Sequence, residues 1–127
     1  DGATRLKQAK ELAQLAKKKG LHAESLVMGD LNASPRSPEI RQLTGEAKFL
    51  DVFHHLHQFE EKFTWDNRNP YALGSEHKMP DRRIDFLLTH GQGPLLKDPV
   101  SCEVVFTAPS KKGVWASDHF GVLGEFK

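Results

Sequence analysis

The chain has 127 residues, a net charge of +1, 38% hydrophobic and 28% charged residues. That balance excludes a disordered polar chain, and no apolar run approaches the ~20 residues a membrane-spanning helix requires. It excludes neither nucleic acid nor lipid as a partner, because a basic patch can sit inside a balanced total.

The segment TRLKQAKELAQLAKKKG places Leu6, Ala9, Leu12, Ala13 and Ala16 on one broad face at spacings of three and four, which predicts an amphipathic helix. Thr4 is the expected cap, the lysine run suits the negative end of the helix dipole, and Gly20 is the expected stop. The run SLVM at 25–28, bounded by Gly29, predicts a buried strand that delivers Asp30, Leu31 and Asn32 to a loop. Ser37 followed by Pro38 predicts the start of a short helix, with Gly45 its stop. A further short helix is expected at 52–57. KFTW at 62–65 predicts a strand and DNRNP a turn.

RRIDFLLTHG predicts a strand ended by Gly91 and Gly93, SCEVVFTAP an alternating strand ended by Pro109, and FGVLGEFK the last strand. One long helix, one or two short ones and about five strands make an α/β (α+β) mixture. Cys102, the single cysteine, falls in the alternating strand and reads as a packing residue. The chain opens on DGATRLKQ without Met, as expected of a processed terminus or a piece of a longer protein.

The chemistry-bearing residues gather at predicted strand ends, where side chains distant in sequence can share one cleft. Asp85 is expected to interrupt an apolar strand between Ile84 and Phe86, and a carboxylate buried there needs a partner. His119 is the candidate: a carboxylate on one ring nitrogen fixes the tautomer and raises the basicity of the other. Asp30 and Asn32, one residue apart in a strand-like segment, are expected to point the same way. One can activate a water, and the other can donate to a developing negative oxygen. Asp118 and Asp30 offer hard oxygens suited to Mg²⁺, with Mn²⁺ as its substitute. These groups together are what water attack on a phosphoester demands. The cluster HHLH lacks the spacing of common zinc motifs, and no metal is expected at His54, His55 and His57.

GDLN at 29–32, RRIDFLL at 82–88 and SDHFGVL at 117–123, in that order, resemble the C-terminal motifs of the endonuclease/exonuclease/phosphatase superfamily. The resemblance covers about residues 5–126 and implies a deoxyribonuclease-I-like fold, a two-sheet β-sandwich flanked by helices. It implies that Asp30 activates the water and Asn32 contacts the scissile phosphate. His119, held by Asp85, meets the phosphate or acts as acid and base, and Asp118 serves the metal. The family's early asparagine and Mg²⁺-holding glutamate have no counterpart here, since Glu11 and Glu24 stand outside that motif. The resemblance therefore implies that 1–127 is a single-domain fragment, the C-terminal half of a catalytic domain. Its partner is the N-terminal half, and alone it is inactive.

The stretch FTWDNRNP resembles the sphingomyelinase-like branch, in which Trp65 and Asn67 are expected substrate contacts, Trp65 reading equally as a loop-anchoring indole; Arg83 is expected to meet the substrate phosphate. The substrate reading is a phosphodiester, a lipid headgroup first and nucleic acid second. A non-catalytic remnant of the fold is the rival from another class. Arg68 is a further phosphate candidate, whereas Arg82 reads as surface charge.

Overall fold

A computed structural model describes residues 1–18, 24–72, 79–90, 96 and 98–127. Helix α1 (Gly2–Lys18) begins three residues earlier than expected, because the Asp1 carboxylate, not Thr4, forms the cap, accepting the N–H of Ala3 at 2.8 Å. Aspartate caps at least as well as threonine, and Gly2 and Ala3 do not oppose an early start. Ala9 and Ala13 are buried with Leu12 and Ala16 beside them, as the spacing requires. Gly20 lies outside the described residues.

Strand β1 (Ser25–Asp30) leads to helix α2 (Pro38–Arg41), whose cap is Ser37, its Oγ accepting from Ile40 at 3.4 Å. The helix does not stop at Gly45. It continues as a π turn, Gln42–Glu46, closed by Ala47 N–H on the Gln42 carbonyl at 3.3 Å. The Thr44 hydroxyl meanwhile donates to the Ile40 carbonyl at 3.0 Å, a back-bond that loosens the regular ladder. Strand β2 (Leu50–Asp51) and helix α3 (Val52–Leu56) follow directly, and Asp51 caps α3 through the N–H of His54 at 3.2 Å.

KFTW does not form a strand of its own. It makes one antiparallel bridge, Trp65 to Arg82. Strand β3 (Asp85–His90) begins at Asp85 rather than running through it. The reason lies in Thr64, whose Oγ1 accepts the N–H groups of Ile84 and Asp85 and so removes them from a ladder. Gly91 and Gly93 are outside the described residues. Strand β4 (Pro99–Val105) ends before Pro109, at Phe106 with φ 59, and β5 (Gly121–Phe126) pairs back on it.

The strands form two antiparallel sheets, β1-β3-β2 and β4-β5. Central β3 is buried from Phe86 to Thr89. Alternation along it sends Phe86 and Leu88 into one cluster with α1 and α2, and Leu87 into another with Val52, Phe53 and Cys102. The second cluster joins the two sheets, with Val104, Val122 and Phe126 packed against it. At this contact Gly124 has no room for a side chain, since a Cβ there would strike Leu87 Cδ2. The two sheets thus face each other across this cluster, with α1 and α2 on the outer face of the first and α3 at the contact.

Leu26 and Met28 of β1 pair with Thr89 and Leu87, so they share the inward face of the first sheet. They are nevertheless 42% and 71% exposed, since the two-stranded second sheet does not reach them.

Candidate active site

The register Asp30–Asp85 closes the β1–β3 ladder. Residues opposed in an antiparallel pair lie on the same face, so the two carboxylates mark one end of the sheet. Gly29, at φ 131, takes a backbone conformation that favours glycine. Beyond it Asp30 Oδ1 accepts the N–H of Asn32 at 2.6 Å, and Asn32 sits in the left-handed region at φ 48. Asp30 and Asn32 are thus joined by a tight turn rather than aligned along a strand, because asparagine tolerates that conformation and the carboxylate can close the turn. Both are exposed and line a cavity of about 460 Å³ with Arg5 and Glu39, which pair at 3.5 Å.

His119 Nδ1 lies 2.9 Å from Asp85 Oδ2. The two side chains are 22% and 18% exposed, dry enough to strengthen the bond and open enough to meet solvent. With its proton on Nδ1, the ring donates to the carboxylate and presents Nε2, which has no hydrogen-bond partner among the described residues. The edge of Trp65 fixes the ring plane, with centroids 5.1 Å apart at 78°. Below the ring the loop is locally tied: the His119 N–H donates to Ser117 Oγ at 3.1 Å, and that hydroxyl donates to Asp118 Oδ1 at 3.0 Å. Asp118 is exposed. His119 and Asp85 do not wall the cavity beside Asp30 and Asn32. The two halves of the site are linked through the Asp30–Asp85 register instead.

Of the expected substrate contacts, Trp65 stands against His119, whereas Arg83 and Asn67 are engaged elsewhere. Arg83 is 6% exposed, bonds Asp51 at 3.1 and 2.6 Å, and lies over the rings of Phe86 and Phe53 at 4.5 and 5.1 Å. Its guanidinium is committed to the interior, since the partner that sequence could not supply, Asp51, is 32 residues away. Asn67 is bound to Asp81 and to the Met79 carbonyl at 2.9 Å. Arg68 clamps Asp66 through its Nε and Nη2, holding that carboxyl below its ordinary value, while Asp66 raises the guanidinium. A groove of about 1050 Å³ lies along α3 and contains Arg83 but none of the Asp30, Asn32, Asp85, Asp118 and His119 group. His57 Nε2 is taken by the Cys102 carbonyl at 2.8 Å. Burial pushes the Cys102 thiol up to about 11.

Two residues were not singled out from the sequence. Thr64 and Asn69 are both fully buried. Asn69 Nδ2 donates to the Ser117 carbonyl at 2.8 Å, and its Oδ1 accepts the N–H of Tyr71. A polar residue inside an aromatic-flanked segment, and a second asparagine in a turn, were the available signals.

The model described as the Endonuclease/Exonuclease/phosphatase family matches residues 3–119. Solved structures of D. rerio TDP2 share the fold. One, complexed with single strand DNA product, superposes with a TM-score of 0.71 at 24% identity, covering 96% of this chain and 49% of that one. Another, humanized by 14 mutations, gives 0.70 at 24% identity, covering 95% and 47%. The chain thus spans about half the length of the solved structures it matches. A search of curated protein sequences finds no match.

Proposed function

Because the chain belongs to the endonuclease/exonuclease/phosphatase family, we propose that it carries the C-terminal half of a phosphodiester hydrolase that acts on single-stranded DNA. The observation that supports this most is the 2.9 Å contact of His119 with Asp85, at the sheet end where Asp30 opposes Asp85.

Asp30 orients a water and draws off its proton as the water oxygen bonds to phosphorus and the ester P–O bond breaks. Asn32 donates its amide to a phosphoryl oxygen. His119, protonated at both ring nitrogens and held by Asp85 through Nδ1–H, offers Nε2–H to the phosphoryl group, where negative charge gathers, and the leaving oxygen takes its proton from solvent. Asp30 and Asp118 fit a hard divalent cation in kind: both are exposed carboxylates, each with one oxygen engaged in a local turn. No group of three or more such ligands exists among the described residues, so a cation here draws further ligands or waters from elsewhere. When bound, Mg²⁺ supplies neutralising charge to the phosphate.

DNA is favoured over a lipid headgroup for two reasons. A structural neighbour is described with single strand DNA product. Within the stretch behind the headgroup reading, Asn67 is engaged by Asp81 and by the Met79 carbonyl. The N-terminal half of the domain is the proposed cover for Leu26 and Met28 on the inward face.

The test is to incubate the protein carrying this chain with single-stranded DNA and with choline-headgroup lipid, each with Mg²⁺ or with chelator. Magnesium-dependent cleavage of DNA alone is expected. Cleavage of lipid alone overturns the substrate, and inactivity on both, with the N-terminal half present, points to a non-catalytic remnant.

A further inference from the structure

The pair of Asp85 and His119 exists only if two distant segments keep their spacing. A single hydrogen bond between two partly exposed side chains cannot hold two backbones, because rotamer freedom and water compete with it. What joins them is Thr64, with no exposed surface. Its Oγ1 accepts the N–H of Ile84 at 3.0 Å and the N–H of Asp85 at 3.2 Å. Its carbonyl accepts the N–H of Phe120 at 2.7 Å, and its own N–H donates to the Arg82 carbonyl at 3.1 Å. One residue therefore grips the peptide of Asp85 on one side and the residue after His119 on the other.

We infer that Thr64 is the positioning residue of the Asp85–His119 pair, setting the distance at which carboxylate and imidazole meet. This rests on the hydrolytic reading above. The residue type follows from the task. A hydroxyl oxygen has two lone pairs and can take two amide protons, which valine, equal in shape, cannot. Serine keeps the acceptor and loses only a methyl. Being buried, Thr64 touches no substrate and acts through the pair alone. Asn69 restrains the same loop a second time through the Ser117 carbonyl.

In the protein carrying this chain, the Nδ1 proton of His119 is followed by NMR beside kcat and KM on single-stranded DNA. Thr64→Val is expected to weaken or abolish that proton signal and to lower kcat roughly 10- to 100-fold with KM little changed. Thr64→Ser is expected to restore both. A folded Thr64→Val protein with the signal and kcat of the parent overturns the inference. Should Thr64→Val not fold, amide exchange in the parent decides. Slow exchange at Ile84 and Phe120, which lie outside the named strands, supports the clamp, and fast exchange at both overturns it. Failure of the underlying reading looks different: Asp85→Asn then leaves the rate on DNA unchanged, whatever Thr64→Val does.

Discussion

Two ion pairs leave the chain on either side of Ile84, and burial is what separates them. Arg83 and Asp51 are 6% and 8% exposed, doubly bonded and covered by two phenyl rings. Asp85 and His119 are 18% and 22% exposed, joined by one bond, with a ring nitrogen left over. The first pair has spent its polar atoms on itself and on the cap of α3, and serves the interior. The second keeps an atom for something else. A charged residue near a proposed site is therefore not a site residue until its bonding capacity has been counted.

The largest expected effect lies in the rate. His119→Ala is expected to lower hydrolysis by about 10²–10⁴-fold while leaving the unfolding midpoint near that of the parent. Arg83→Ala reverses the pattern: a buried carboxylate loses its partner, and stability falls by about 3–5 kcal/mol in denaturant titration. The comparison sharpens in the double variant Asp51→Leu with Arg83→Met, which is expected to recover much of that loss. No apolar replacement of Asp85 and His119 recovers the rate. Gly124→Ala comes next, at about 1–3 kcal/mol, because the new methyl meets Leu87 inside the sheet contact.

The smallest effect is at Arg68, whose side chain is 76% exposed; the buried Asp66 it clamps keeps the backbone N–H of residue 68 at 2.8 Å when the guanidinium is removed. Arg68→Ala is expected to cost at most about 1 kcal/mol. Its sign with pH follows from the lowered Asp66 carboxyl. The unfolded chain binds the proton more readily, so the contribution is full above the ordinary value of 3.8 and fades as pH falls through the lower folded value. Parent and variant stabilities should differ at neutral pH and converge in acid.

Local order was legible. The spacing of Ala9, Leu12, Ala13 and Ala16 marked α1, Ser37-Pro38 marked α2, and the alternation around Cys102 marked β4, because each depends on neighbours within a few residues. The Asp85–His119 contact was legible through the chemistry of a carboxylate at a strand and a histidine at another. What escaped depends on long-range partners. Arg83 looked free until Asp51 supplied its bonds, and Thr64 looked like a strand residue until Ile84, Asp85 and Phe120 claimed its polar atoms. The turn at Asp30–Asn32 escaped because periodicity says nothing about a left-handed asparagine.

The most direct measurement is the magnesium-dependent rate of single-stranded DNA hydrolysis by the protein carrying this chain, compared with its Asp85→Asn variant. The account predicts cleavage by the parent and a loss on the order of 100-fold or more in a folded variant. Equal rates in the two would contradict it.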